Sequence, residues 1–212
     1  MIAFGGAAGK VSRSNDARQT DMDLFDALRL RRTVREYSDA PLTAEVVRQV
    51  IWAAQGATGQ EGGRTAPSAH ALYPLRLRLA VRAVAGVETG IYDPCADPWQ
   101  KLATGDHGPA LEAAAIGPQP WLANAAAILT VCVDMMAAAT HFADQPPYGE
   151  RGLRYGWIEA GAAAQNALLA ATATGLGAAL IAGFHDEATV AAIQLPPPLV
   201  PACHICLGHL PA

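Results

Sequence analysis

One long apolar segment constrains the fold of this chain more than any other feature. Tyr155–Thr174 is the longest apolar run in the sequence, and its length is close to that of a membrane-spanning helix. Three polar residues interrupt it: Glu159, Gln165 and Asn166. A helix that is apolar on nearly every side is typical of the centre of a globular core. The sequence therefore predicts a central helix whose polar groups must find partners within the protein.

Small residues in this segment predict a close neighbour for the helix. Gly161, with Ala160 and Ala164 nearby, leaves little side-chain volume along one side. Another helix can therefore approach closely at this point, and we expect it to come from a second copy of the chain.

Periodicity, caps and turn residues predict the other elements. The predicted helices run from Thr20–Asp21 to about Arg32, from the N-cap Thr43 to about Gln55, through the end of Trp99–Ala115, and over His185–Ile193 with Asp186 as its cap. The predicted strands are Leu75–Val84 (half-exposed), its hairpin partner Glu88–Tyr92, Ala125–Asp134 (fully buried), Ala178–Phe184 and Ala202–Leu210. We expect Gly56–Gly63 and Met136–Pro147 to be variable loops.

The length and composition of the chain are those of one globular domain with an appended arm. Residues 1–19 lack periodicity and predict a flexible arm, whereas residues 20–212 form the domain. A formal net charge of −4 argues against nucleic acid as a partner. No basic segment followed by an apolar one opens the chain, so we expect a cytoplasmic protein without a secretory signal and not associated with a membrane.

The four cysteines do not predict a metal or redox centre. Cys203 and Cys206 form a Cys-x-x-Cys pair, but no second pair follows to complete a structural zinc site. On the strand predicted here, residues three apart face opposite sides, so the two sulfurs should diverge. The sequence therefore predicts reduced cysteines and no metal site.

A cluster of arginines near the start of the chain permits two interpretations. Arg29, Arg31, Arg32 and Arg35 fall within seven positions, and Thr33 lies among them. Planar guanidinium groups beside a hydroxyl group suit a phosphate monoester. Arginines in the last turn of a helix also stabilise its exposed carbonyls without any ligand. The residues alone leave both interpretations open.

Four separated segments together resemble the nitroreductase superfamily, specifically its SagB-type dehydrogenase branch. They are Arg31–Tyr37 (RRTVREY), Thr65–Leu75 (TAPSAHALYPL), Tyr148–Asn166 (YGERGLRYGWIEAGAAAQN) and Gly175–Phe184 (GLGAALIAGF). The resemblance covers about residues 22–210. It implies an α+β fold in which a mainly antiparallel central sheet is wrapped by helices. It also implies an obligate homodimer that binds FMN at the subunit interface.

The resemblance assigns cofactor-binding roles to particular positions. Arg31 and Arg35 would bind the FMN phosphate, with Thr33 hydrogen-bonding nearby. Ser68 would approach the ribityl chain or the ring edge. The backbone at Ala182 and Gly183 would face flavin N5, and a backbone donor there can stabilise the reduced ring. Glycine suits such a close approach, although it is also common at the end of a strand.

Three positions depart from the family pattern. His70 stands where relatives of this branch commonly carry glycine, and it is either a contact of the flavin or substrate or a space-filling surface histidine. Tyr148 matches the tyrosine of a catalytic Lys–Tyr pair, but Pro147 replaces the lysine. The chain ends at Pro211-Ala212 without a basic residue that many members use at the phosphate, so either Arg31 and Arg35 would carry more of its charge or His209 would assist.

Three functions follow from the resemblance. The first is an FMN-dependent oxidoreductase that takes hydride from NADH or NADPH and reduces a small nitroaromatic or quinone acceptor in a ping-pong reaction. The second is an azoline-to-azole dehydrogenase that acts on a modified peptide, with Tyr148 or His70 as the base for a carbon-bound proton. The third is a dimer that binds flavin without catalysis.

Overall fold

The computed structural model describes residues 22–59 and 62–211. Predictions that concern residues 1–19, Thr20 and Asp21 lie outside these ranges. The centre of the fold is a six-stranded sheet in which every neighbouring pair is antiparallel. Its strands, in spatial order, are β5 (Gln100–Thr104), β4 (Gly90–Asp93), β2 (Leu75–Val81), β6 (Ala127–Asp134), β8 (Leu199–His209) and β7 (Leu176–Ile181). A small parallel pair, β1 (Leu42–Thr43) and β3 (Val84–Ala85), lies apart from it.

Helices cover both faces of the central sheet. They are α1 (Leu24–Leu30), α2 (Ala44–Gln55), α3 (Gly108–Ala114), α4 (Trp121–Asn124), α5 (Met135–His141), α6 (Arg151–Ala173) and α7 (Asp186–Ala192). One apolar core lies between the sheet and the helices α2 and α6. A second core lies on the opposite face, beneath α3, α4 and α7. This α+β arrangement confirms the predicted fold class.

The central helix and the buried strand are where the sequence predicted them. The α6 helix contains the apolar run and begins four residues before Tyr155, at Arg151. In β6, every residue from Ala127 to Val133 is buried. Cys203 belongs to the α2/α6 core and Cys206 to the opposite core, so the two side chains diverge as predicted. Burial raises the pKa of the Cys203 thiol to about 12 and keeps it protonated.

The residues that cap three helices can be compared with the caps that the sequence predicted. Thr43 accepts a hydrogen bond from the Val46 N–H at 3.3 Å, which confirms the predicted start of α2. The α1 helix, in contrast, is capped by Asp23, whose Oδ1 accepts from the Asp26 N–H at 2.9 Å. The predicted cap Asp186 was wrong, because Asp186 is the first residue of α7 and its side chain makes no capping bond.

Two further predictions were wrong because tertiary packing and local capping override the patterns used. Leu75–Val84 was predicted to be half-exposed, but Arg78 on the resulting strand is buried and lies 3.5 Å from Asp93. The segment Met136–Pro147 was predicted to be a loop, but its first part is helix α5. Asp134 caps that helix by accepting from the Ala137 N–H at 2.9 Å.

Among the described residues, no helix combines the length and the apolar character that crossing a membrane requires. The α6 helix instead lies against the sheet, with nine of its residues buried.

Candidate functional site

The four clustered arginines divide into two pairs with different surroundings. Arg29 forms an ion pair with Asp26, and Arg32 donates to the main-chain oxygens of Arg29 and Arg31 at 2.9 and 2.8 Å. These two arginines therefore serve the end of α1. Within the described chain, the guanidinium groups of Arg31 and Arg35 have no carboxylate partner.

The segment after α1 is fastened to the edge of the central sheet. The Val34 N–H donates to the Ala178 oxygen at 2.9 Å, and Thr33 pairs with Ala178 as an isolated parallel bridge. Val34 lies against the sheet, because a Cβ added at Gly177 would come within 2.8 Å of its Cγ1. Side chains alternate along an extended segment, so we expect residues 31 and 33 to point away from the side that Val34 occupies.

The surroundings of Arg35 contain charges of both signs. Its guanidinium lies 5.0 Å from the ring centroid of Trp121, in a cation–π contact. It lines a hollow of about 650 Å³ together with the exposed carboxylates of Glu36 and Asp39. The hollow itself is therefore a poor anion site.

Gly183 lies just beyond the end of β7 and borders open space. A Cβ added to it would meet no atom closer than 3.9 Å, so the fold itself does not require glycine here. Its carbonyl accepts from the Ile116 N–H at 2.9 Å and from Gln119 Nε2 at 3.2 Å. Among the described residues no acceptor receives its N–H or that of Ala182. These backbone donors are therefore available to a ligand.

The loop that contains Ser68 and His70 is held in a strained conformation. His70, Ala71 and Tyr73 have φ values of 52°, 55° and 51°, which non-glycine residues rarely adopt. Two side chains hold the loop: Ser68 Oγ accepts from the Tyr73 N–H, and Glu159 Oε1 accepts from the Ala69 N–H, each at 2.8 Å. Glu159, from the central helix, thus has a structural partner for Oε1, whereas its buried Oε2 has none among the described residues.

His70 packs against two aromatic residues that the sequence analysis did not single out. Its Nδ1 lies 3.2 Å from Nε2 of His141, and its ring centroid lies 5.0 Å from that of Phe142. The loop therefore directs the imidazole towards the C-terminal end of α5. Tyr148 is 74% exposed, and within the described chain no hydrogen bond or ring contact joins it to His70.

The candidate residues therefore form two groups at different places on one chain. Thr33, Ala182 and Gly183 lie along β7, at one edge of the sheet. Ser68 and His70 precede β2, which is separated from β7 by β6 and β8. Three strand spacings amount to about 14 Å. On one chain, the two groups therefore adjoin strands that are not neighbours in the sheet.

The helices α1 and α6 present apolar side chains to solvent. Phe25 and Ile158 are 79% and 61% exposed, and Leu24, Leu28 and Trp157 are also exposed. Gly161 lies on the open side of α6, where an added Cβ would meet nothing within 4 Å. An apolar surface of this kind on a chain with an otherwise well-packed core is typical of a protein interface.

A buried histidine, His204, lies on the face of the sheet that α3, α4 and α7 cover. His204 Nδ1 lies 2.8 Å from Thr130 Oγ1, and its ring packs 4.6 Å from that of Phe184. Burial lowers the pKa of His204 from 6.5 to about 4, because the charged form loses its hydration. The side chain is therefore neutral near pH 7.

Sequence and structure comparisons agree on the family. The sequence model of the Nitroreductase family matches residues 28–209. A Methanocaldococcus jannaschii protein named as a nitroreductase is 38% identical over 169 residues, which cover 79% of this chain and 82% of that protein.

Two solved structures show the same fold at lower identity. A nitroreductase-type protein of Ralstonia eutropha JMP134 superposes with a TM-score of 0.73 at 23% identity, over 97% of this chain and 93% of the other. A chain of the Escherichia coli microcin synthetase McbBCD complex with truncated pro-MccB17 bound superposes with a TM-score of 0.67 at 19% identity, over 100% of this chain and 79% of the other. The chain belongs to the nitroreductase family and is therefore assigned as an oxidoreductase.

Proposed function

We propose that the chain is an FMN-dependent oxidoreductase that works as a homodimer, with FMN at the subunit interface. Bound FMN would accept hydride from NADH or NADPH and pass the electrons to a small oxidised acceptor of the nitroaromatic or quinone type. The observation that carries the proposal is the division of the arginine cluster. Among the described residues Arg31 and Arg35 have no carboxylate partner, whereas Arg29 and Arg32 have their partners within the chain.

The residues at the β7 edge fit a phosphorylated flavin. Arg31 and Thr33 share one side of the extended segment and offer a guanidinium and a hydroxyl group to the phosphate, and Arg35 adds charge. Thr33 pairs with Ala178, and the backbone donors of Ala182 and Gly183 follow Ala178 by about four residues along the chain. In an extended strand four residues span about 13 Å. One end of the edge therefore offers groups that bind an anion, and the other end offers unpaired N–H groups. An extended mononucleotide requires both.

A second copy of the chain would complete this site. The Ser68–Tyr73 loop precedes β2, which lies three strands away from β7 on the same chain, so we infer that the partner's loop completes the flavin site. The exposed apolar side chains of α1 and α6 supply a surface on which two copies can associate. Gly161 permits close approach of the partner's helix at that surface.

We assign His70 a role above the flavin or beside the acceptor, positioned by His141. The two imidazole nitrogens are within hydrogen-bonding distance, so His141 fixes the ring orientation of His70. Tyr148 is the other candidate catalytic residue, because its exposed phenol is available to a substrate. Reduction of a quinone or nitro group needs protons from the surroundings but no strong base, and this site offers none.

Titration with FMN tests the proposal. Arg31→Ala and Arg35→Ala should each weaken FMN binding by about 1.5–3 kcal/mol, the cost of one charge-assisted contact. Arg32→Ala is the matched control, because its guanidinium already bonds to main-chain oxygens at the end of α1. If all three variants bind FMN as tightly as the parent protein, the phosphate lies elsewhere.

The second candidate function is the azoline dehydrogenase reaction of the SagB-type branch. Its support is the exposed Tyr148 and the shared fold with a chain of the microcin synthetase complex. Pro147 stands where a lysine would be needed, so this function ranks below the first. Anaerobic bleaching of bound flavin by NADH or NADPH favours the reductase. Bleaching by an azoline peptide alone favours the dehydrogenase. Flavin binding without either reaction favours the non-catalytic dimer.

A further inference from the structure

A second cleft lies near the opposite edge of the sheet, away from β7. Its floor is Leu77 on β2, one wall is the C-terminal half of α2, and the other wall is the turn between β4 and β5. It encloses about 320 Å³. A space of this size, lined mainly by apolar and aromatic side chains with a few polar groups, is typical of a small-molecule site.

A buried amide group without a hydrogen-bond donor lines this cleft. Gln55 is only 5% exposed, and its side-chain oxygen has no partner among the described residues. A buried acceptor left unpaired is costly, and native proteins seldom tolerate it without a ligand or water. Arg64 Nη1 donates to the main-chain oxygen of the same residue at 2.9 Å, which places a guanidinium group beside the amide. The two groups together offer one acceptor and several donors.

Two indole rings form rigid walls of the cleft. Trp52 Nε1 donates to the Ala57 oxygen at 3.1 Å, and the indole packs over Gly56, where an added Cβ would overlap it. Trp99 contacts the Arg48 guanidinium, 5.0 Å from its ring centroid, and the Tyr92 ring, whose centroid lies 6.4 Å away. Fixed aromatic walls favour a flat aromatic ligand.

The charges around the cleft favour an anion. Among the described residues that line it, Arg48 and Arg64 are basic and Asp97 is acidic. Burial raises the pKa of the Cys95 thiol, so this lining residue is neutral near pH 7. On the described lining residues, two guanidinium groups thus outnumber one carboxylate. A carboxylate is the planar anion that best matches a guanidinium fork.

We propose that this cleft binds a planar aromatic carboxylate that carries a hydrogen-bond donor next to its acid group. The ring would lie against Trp52 and Trp99, the carboxylate would pair with Arg64 or Arg48, and the neighbouring donor would satisfy the Gln55 side-chain oxygen. Within one chain, β6 and β8 lie between β2, the floor of the cleft, and β7. In the proposed dimer the cleft adjoins the loop that reaches the partner's flavin, since the Arg64 guanidinium lies 5.5 Å from the ring centroid of Tyr73. The proposed carboxylate site does not depend on the flavin chemistry itself.

Three related probes test the match group by group: 2-aminobenzoate, benzoate and aniline. Calorimetric titration uses the purified protein with FMN added in excess. The parent protein should bind 2-aminobenzoate roughly 3- to 10-fold more tightly than benzoate, because only the former donates to Gln55. Aniline, which lacks the carboxylate, should bind more weakly still.

Two variants separate the roles of the amide and the guanidinium group. Gln55→Leu, a change of similar volume, should bring the affinities for 2-aminobenzoate and benzoate close together. Arg64→Gln should weaken both carboxylates about tenfold and leave aniline unchanged. Arg82→Gln is the control, since the Arg82 side chain bonds to the main-chain oxygens of Asn124 and Ala125 and does not line the cleft. Gln55→Met replaces Gln55→Leu if the latter does not fold.

Either of two results would overturn the proposal. One is that the parent protein binds none of the probes at millimolar concentration. The other is that a folded Gln55 variant keeps the parent's preference for 2-aminobenzoate over benzoate, since the donor would then not be recognised by this amide. Folding of each variant is checked by its melting temperature.

Discussion

Replacing Gly183 with alanine tests the proposed flavin contact without a penalty to the fold. The added Cβ would lie 3.9 Å from its nearest neighbours, Gln119 Nε2 and Ile116 Cβ, which is ordinary van der Waals contact. Gly183 is not among the residues with positive φ, so alanine can adopt its backbone conformation. A compatible Gly→Ala change stabilises a protein by about 0.4–1 kcal/mol through the unfolded chain. For a chain of this size that corresponds to an unchanged or slightly raised melting temperature.

The same change should weaken flavin binding. The open space beside Gly183 is where the flavin ring must lie if the backbone donor is to reach N5, and the new methyl group would occupy part of it. Loss of that hydrogen bond costs about 0.5–1.5 kcal/mol. Together with the displaced ring we expect a loss of about 1.4 kcal/mol, which is a tenfold rise in Kd.

The assay pairs FMN titration with thermal unfolding of the flavin-free protein. Gly208→Ala is the control, because its Cβ would come within 2.6 Å of the Tyr37 ring. That variant should lose stability, whereas Gly183→Ala should keep its stability and lose affinity for FMN. An unchanged Kd for FMN in a fully stable Gly183→Ala variant would refute the placement of the ring beside this residue.

Three further predictions concern pH, association and the strained loop. His204 should make the protein less stable as the pH falls from 6.5 towards 4, by up to about 3 kcal/mol, because the unfolded chain takes up a proton that the native state excludes. Urea unfolding of His204→Asn should show a smaller loss between pH 7 and 4.5 than the parent or the exposed control His185→Asn, and equal losses in all three would contradict this. Ile158→Lys should convert a dimer into a folded monomer in light scattering, since Ile158 is 61% exposed in one chain; a dimer that persists would place the interface elsewhere. Glu159→Leu should leave the Ala69 N–H unpaired, cost about 1–3 kcal/mol and speed hydrogen exchange in the Ser68–Tyr73 loop, and unchanged exchange would remove this glutamate as its anchor.

Local signals predicted the elements whose boundaries are set by neighbouring residues. The start of α2 was predicted correctly because the Thr43 hydroxyl caps it whatever lies elsewhere in the chain. The N-terminus of α5 carries the same kind of signal in Asp134, followed by helix-forming methionine and alanine residues, and could have been predicted. The burial of Arg78 could not, because it depends on Asp93 from another strand and on helices packed over that face.

The candidate site was predictable only in part, because many of its contacts join residues that are far apart in the sequence. The arginine cluster is visible in the sequence, but the partners that distinguish Arg31 and Arg35 from Arg29 and Arg32 appear only in the structure. His141 is 71 residues from His70 along the chain, and its contact arises from the packing of α5 beside the strained loop. The unpaired oxygen of Gln55 is likewise a property of the folded cleft, since the sequence shows only a glutamine at the end of a helix.

Light scattering combined with flavin absorbance on the purified, FMN-saturated protein tests the central claim most directly. The account predicts a particle of twice the 22.0 kDa chain mass, with one FMN for each chain. A particle of one chain mass that retains no flavin after saturation would contradict it.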